Sequence, residues 1–134
     1  MLLLGFNGIS QPVRSTDRYG DKLYFVDGNA LKENDRYGKI LFHYDCGHIR
    51  VSNRYGEILW FLEGNQVRVK NRYGEKLFFF DGRTIKAQDR YGDKLFYLDG
   101  QTLKVKDRYG DSVYYFEGIP DRWVIIAVIN MLNN

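Results

Sequence analysis

Polar and apolar residues alternate along most of this chain, as in residues 89–106, which read DRYGDKLFYLDGQTLKVK. That period of two predicts strands; an amphipathic helix would show a period of 3.6. The pattern also recurs. Arg-Tyr-Gly occurs six times, with its glycines at Gly20, Gly38, Gly56, Gly74, Gly92 and Gly110, always eighteen residues apart. A fixed spacing of this kind is the mark of a tandem repeat array. Six units fill residues 17–124, residues 1–16 read as a degenerate repeat or cap, and an apolar segment at 119–134 overlaps the last unit. Almost no chain is left for a separate functional domain.

Each unit carries two turn signals. Asp-Gly or Glu-Gly lies between apolar residues at Asp27-Gly28, Glu63-Gly64, Asp81-Gly82, Asp99-Gly100 and Glu117-Gly118. Such pairs suit two-residue hairpin loops, whose central residues take positive φ. The second turn, Asp/Asn-Arg-Tyr-Gly, resembles a type I turn in which Asp or Asn accepts backbone hydrogen bonds and Gly supplies a left-handed residue. Centring the hairpin on Asp81-Gly82 places Phe80 opposite Arg83 and Phe78 opposite Ile85. Phe78, Phe80, Ile85 and Ala87 then share one face, with Trp60, Leu62, Val67 and Val69, and Phe96, Leu98, Leu103 and Val105, as counterparts; this is the expected core. The opposite face carries Leu77, Phe79 and Lys86, so that an aromatic and a cation recur once per unit.

Carrying the same parity through the second turn pairs Lys70 with Glu75 and Lys106 with Asp111, which makes an all-β antiparallel meander of eighteen-residue hairpins self-consistent. A three-residue loop with a bulge would slip that register by one. The alternative is a parallel β-solenoid, one coil per repeat. It would stack six arginines, from Arg18 to Arg108, at about 4.8 Å, and so needs an acidic column to offset them. After Gly118 the alternation stops. Pro120 and Asp121 lead into WVIIAVINML, which suits a short helix or a last buried strand and is expected to cap the array.

Composition agrees with a folded domain: 134 residues, 44% hydrophobic, 28% charged and 16% aromatic. Twenty basic against seventeen acidic side chains leave +3, with both signs interspersed, which argues against a dedicated nucleic-acid binder. The longest apolar run is well short of the roughly 20 residues of a membrane-spanning helix, and residues 1–4 make too short a leader, so the cytoplasm is the default expectation. A single cysteine, Cys46, excludes an intramolecular disulfide framework.

The stretches GEKLFFFDG from Gly74 and GDKLFYLDG from Gly92 resemble the aromatic hairpin repeats of choline- and glucan-binding cell-wall modules. That resemblance implies a carbohydrate or cell-wall ligand.

Three sets of residues are candidate sites. His43, Cys46 and His48 fall within six positions, and a turn at Asp45-Cys46 would put His43 opposite His48, where a divalent metal could bind with the thiolate or the Asp45 carboxylate; the spacing fits no zinc motif, and drift in one repeat is the simpler reading. A Cys46/His48 nucleophilic dyad lacks a third orienting group. The aromatic and cationic face, Phe61, Arg68, Phe79, Lys86, Tyr97, Lys104 and Tyr115 with Arg122, could stack sugars or bases, or could merely stabilise the sheet. The six Arg-Tyr pairs of the turns could form a row of ligand sites or serve as scaffold. Catalysis needs one unique arrangement in a cleft, whereas this chain repeats one small set, so no enzyme activity is expected. The expected function is that of a noncatalytic β-repeat protein binding a protein partner or its own copies, with carbohydrate binding as the alternative. An open sheet with aromatics on both faces would further favour a homo-oligomer.

Overall fold

A computed structural model describes residues 10–132. Its twelve strands are β1 (Ser10–Ser15), β2 (Lys22–Asp27), β3 (Ala30–Glu33), β4 (Ile40–Asp45), β5 (His48–Val51), β6 (Ile58–Glu63), β7 (Gln66–Val69), β8 (Lys76–Asp81), β9 (Thr84–Ala87), β10 (Lys94–Asp99), β11 (Thr102–Val105) and β12 (Ser112–Phe116); one helix, α1 (Arg122–Met131), follows. Successive strands pair antiparallel, and β1 pairs with β12, so the meander closes into a barrel. The parallel coil is thereby excluded. Residues 1–9 of the expected N-terminal cap lie outside the described residues, while Ser10–Ser15 supplies the closing strand.

Closure follows from a constant stagger. Val26 pairs with Leu31, which pairs with Phe42, two residues short of Tyr44, the counterpart of Val26 one repeat later. The seam behaves alike: Phe116 pairs with Val13, and Val13 with Tyr24, two short of Val26. Six such steps accumulate a stagger of twelve residues, which for twelve strands implies a tilt of about 35° and a backbone diameter of about 22 Å. Strand side chains alone do not fill that width. The helix does: Trp123 through Ile129 are all buried, an all-round burial that fits only a helix surrounded by apolar walls. The Tyr114 hydroxyl donates to the Val128 carbonyl at 3.0 Å, and Tyr44 stacks on Trp123 at 5.5 Å. The C-terminal segment is therefore a helix that threads the barrel, rather than a lid over its end.

Inward positions form layers around that helix. Val13, Leu31, Ile49, Val67, Ile85 and Leu103, one per repeat, are essentially inaccessible. The expected core face points inward as predicted, and only its last row reaches the end of the barrel, where Val105 is exposed. The hairpin register differs from expectation by a shift of the turn by one residue. Asp81 pairs with Thr84 and Phe80 with Ile85, so that Gly82 and Arg83, not Asp81 and Gly82, are the central pair. Moving the turn by one changes each pairing by two, which preserves the faces. Gly82 has φ +62° while Arg83 is not left-handed, a pattern of one positive φ at the first position.

The Arg-Tyr-Gly turn corrects two further expectations. In each repeat the left-handed residue is not the glycine but the residue four before it: Thr16, Asn34, Ser52, Lys70, Gln88 and Lys106 have φ between 57° and 70°. Its N–H donates to the neighbouring strand, as Lys70 does to the Leu59 carbonyl at 3.0 Å. Lys70 accordingly ion-pairs with Glu57 at 3.5 Å rather than with Glu75, and Glu75 and Asp111 offer their carbonyls to the N–H groups of Val69 and Val105. The glycine is needed for close approach: a Cβ on Gly74 would lie 1.7 Å from the Val69 carbonyl oxygen. The Asx turn is as expected, with Asn71 Oδ1 accepting from the Tyr73 N–H at 2.9 Å. Next to each turn the register slips, as between Val67 and Arg68, where Leu77 is the extra residue. Of these bulge residues Leu23, Leu41, Leu59 and Val113 pack against the core, whereas the sequence pattern placed this position outward. Bulges add the twist and bend that closing a barrel requires.

Candidate functional site

Outside the barrel, each of the five hairpins and the closing seam sets one aromatic or imidazole ring opposite one cation: Phe25 with Lys32, His43 with Arg50, Phe61 with Arg68, Phe79 with Lys86, Tyr97 with Lys104, and Tyr115 with Arg14. The aromatic and cationic face is thus real and circles the barrel. One member changes: Tyr115 faces Arg14 from the closing strand. Arg122 sits instead at the start of α1, where its guanidinium donates to the Gly64 carbonyl and Asn65 Oδ1 and lies 4.9 Å from the Phe80 ring.

These cations are already engaged. Arg14, Arg50 and Arg68 donate to the glycine carbonyls of the adjoining Arg-Tyr-Gly turns, each at 3.1 Å. Lys32, Lys86 and Lys104, being shorter, reach the arginine carbonyls of their turns at 2.9–3.0 Å and also pair with Asp27, Asp81 and Asp99. All six fasten a turn down onto the outer wall. Sequence periodicity picked out Arg68, Lys86 and Lys104; the structure adds Arg14, Lys32 and Arg50 and assigns all six this holding role.

His43, Cys46 and His48 are arranged differently from the expected hairpin. The turn residues are Cys46 and Gly47, with φ of 48° and 87°, so His43 faces Arg50 and His48 faces Asp45; the two histidines are not opposite each other. His48 packs against Phe61 at 4.9 Å, and Cys46 is exposed. Among the described residues, no three His, Cys, Asp or Glu side chains come together in a group suited to hold a metal ion.

The turns present what the wall does not. Tyr19, Tyr37, Tyr55, Tyr73, Tyr91 and Tyr109 are 79–88% exposed. At that exposure they do not fold back over the hairpins. Four of the neighbouring arginines lie 5.0–6.0 Å over these rings, as Arg18 does over Tyr19, and Arg36 reaches back to Phe25. Since the repeats are related by rotation around the barrel, the six turns form a ring at one end.

Val51 and Val105 end strands at this same ring, and α1, which starts beside Gly64 at the opposite end, delivers Leu132 to it. Nine of the ten large hydrophobic residues that are exposed among the described residues therefore gather at the Arg-Tyr-Gly end; Ile119 alone is elsewhere. Sequence reasoning picked out the Arg-Tyr pairs but had no means to join them to Val51, Val105 and Leu132. On the wall below, a shallow groove of about 320 Å³ is lined by Thr84, Lys94, Tyr97, Asp107, Arg108 and Tyr109. Among the described residues, no helix is long and apolar enough to cross a membrane.

The chain matches no family model, no curated protein and no solved structure.

Proposed function

We propose that this protein is a noncatalytic binding module that engages a macromolecular partner over the Arg-Tyr-Gly end of its barrel. The observation that carries this reading is that nine of the ten exposed large hydrophobic side chains among the described residues gather at that end. Contiguous exposed apolar surface is uncommon on monomeric proteins without a partner, and tyrosine and arginine are the residue types that dominate binding energy at interfaces. The outer wall is a weaker candidate, because its cations are occupied with the turns.

A photo-cross-linking amino acid tests the reading. Placed at Tyr55 or Tyr91 in cells that make the protein, it is expected to yield discrete adducts, and placed at Arg83 or Gln101 at the other end it is not. Equal yield from both ends, or none from either, would overturn the proposal.

The groove beside Tyr97 favours a second reading, carbohydrate binding, in which Tyr97 and Tyr109 supply ring faces and Lys94, Asp107 and Arg108 supply polar contacts. A glycan array combined with tyrosine fluorescence tests it: saturable binding that Tyr97→Ala removes supports it, and silence across the array rejects it.

A further inference from the structure

Resting on the reading that the Arg-Tyr-Gly end is a binding face, we infer that its occupant is a second copy of this chain, docked ring to ring about a twofold axis perpendicular to the barrel. Area is the first argument. Six tyrosine side chains at 79–88% exposure offer about 1,000 Å² between them, counting about 200 Å² for each ring. A stable complex takes about 800 Å² from each partner, so the tyrosine ring alone is large enough, before Leu132 at its centre is added.

Charge selects the partner. The six turn segments 17–22, 35–40, 53–58, 71–76, 89–94 and 107–112 contain ten Lys and Arg against nine Asp and Glu. A ring so nearly neutral has little to attract a nucleic acid or an anionic membrane, whose affinity comes from uncompensated positive charge. It also does not repel itself. Each segment holds an arginine beside an acid or asparagine, so a facing copy meets a guanidinium with a carboxylate or a phenol ring at every step.

Geometry permits the match. An isologous contact needs a surface that is its own complement. Six nearly equivalent units around one axis provide this, since turning one ring by half a repeat seats its tyrosines in the gaps of the other. Closure of the barrel around α1 buries the face that an open sheet would expose and so removes that reason for association; among the described residues this end remains as the exposed apolar surface. Among the described residues, the opposite end, with the polar turn residues Asn29, Asn65, Arg83 and Gln101, has no comparable apolar ring.

Sedimentation velocity on the full chain from about 1 to 200 µM is the test. The expected result is a species of twice 15.8 kDa that dissociates on dilution. The Tyr19→Ser, Tyr55→Ser, Tyr91→Ser triple variant should weaken dimerisation at least about 100-fold, with thermal unfolding unchanged at concentrations where both proteins are monomeric, because these side chains make little contact within the barrel. Ile119→Ser, at the other end, should leave dimerisation intact. A wild-type protein that stays monomeric throughout, or a triple variant that dimerises as well as wild type, overturns the inference. If the wild type is monomeric while cross-linking at Tyr55 captures a different macromolecule, only the second copy is rejected; if nothing is captured, the binding face falls with it.

Discussion

Replacing helix residues one at a time by alanine measures how α1 sits in the barrel. Ile126 is fully buried, and Ile126→Ala removes three carbons, which at about 0.8 kcal/mol each gives about 2.4 kcal/mol of lost transfer energy. The space left behind adds to this, because a closed wall of paired strands collapses poorly, and the total is expected at about 3–4 kcal/mol. For a domain of this size that lowers Tm by about 10–18 °C. The pattern along the helix is more telling than any one value. Together with Trp123 and Ala127, the residues Val124, Ile125, Ile126, Val128 and Ile129 point in all directions around the axis, since successive residues differ by about 100°. A helix inside the barrel makes every one of them sensitive, each by at least about 1.5 kcal/mol. Ala127→Leu should also destabilise, by about 1–3 kcal/mol, because Ala127 is fully buried and the larger side chain must displace packed neighbours. Urea denaturation of each variant supplies the numbers, with an unchanged slope confirming that the same surface is exposed on unfolding. Costs that rise and fall with a period of 3.6, leaving two or more of these positions tolerant, would refute the threaded helix in favour of one lying across the barrel end.

The two kinds of glycine should separate cleanly. Gly92→Ala puts a methyl 1.6 Å from the Ala87 carbonyl oxygen and is expected to destabilise by more than about 3 kcal/mol, whereas Gly82→Ala meets nothing within 4 Å and only strains a φ of +62°, about 1–2 kcal/mol; equal midpoints in urea would contradict this. Lys70→Gly relieves a left-handed lysine and loses only an exposed ion pair, so it should be neutral or stabilising by up to about 1 kcal/mol, and a clear loss by calorimetry would count against the turn as described. Tyr114 and Tyr24 are both held above the ordinary phenol value of 10.0, first by burial, then at Tyr114 by the neighbouring Tyr24. The unfolded chain gives up these protons near pH 10 while the folded chain keeps them, so their contribution is complete below pH 10 and is lost as pH rises above it. Urea midpoints should therefore fall between about pH 9.5 and 11, less steeply for Tyr24→Phe, and a midpoint that is flat over that range would show the pair to be solvated.

Alternation of period two, the Asp-Gly and Asp/Asn-Arg-Tyr-Gly turns and the eighteen-residue spacing together determined strands, hairpins and the inward face, because each is a local property of backbone and neighbouring side chains. Phe78, Phe80 and Ile85 could be assigned to one side without knowledge of any other repeat. A shift of the turn by one residue left those faces intact but separated His43 from His48, since pairing is far more sensitive to turn geometry than parity is. The left-handed residue escaped notice because Thr16, Lys70 and Gln88 share no chemistry; what imposes it is the hydrogen bond to the adjoining strand. Closure was likewise illegible. It depends on a two-residue stagger summed over six hairpins, and only when β1 meets β12 does the sum determine the diameter. That diameter, about 22 Å, leaves a lumen one helix wide, which is why WVIIAVINML becomes a threaded helix rather than a strand or a lid. The tertiary structure alone decided which turns share an end and therefore gathered six tyrosines, two valines and a leucine from across the chain onto one surface.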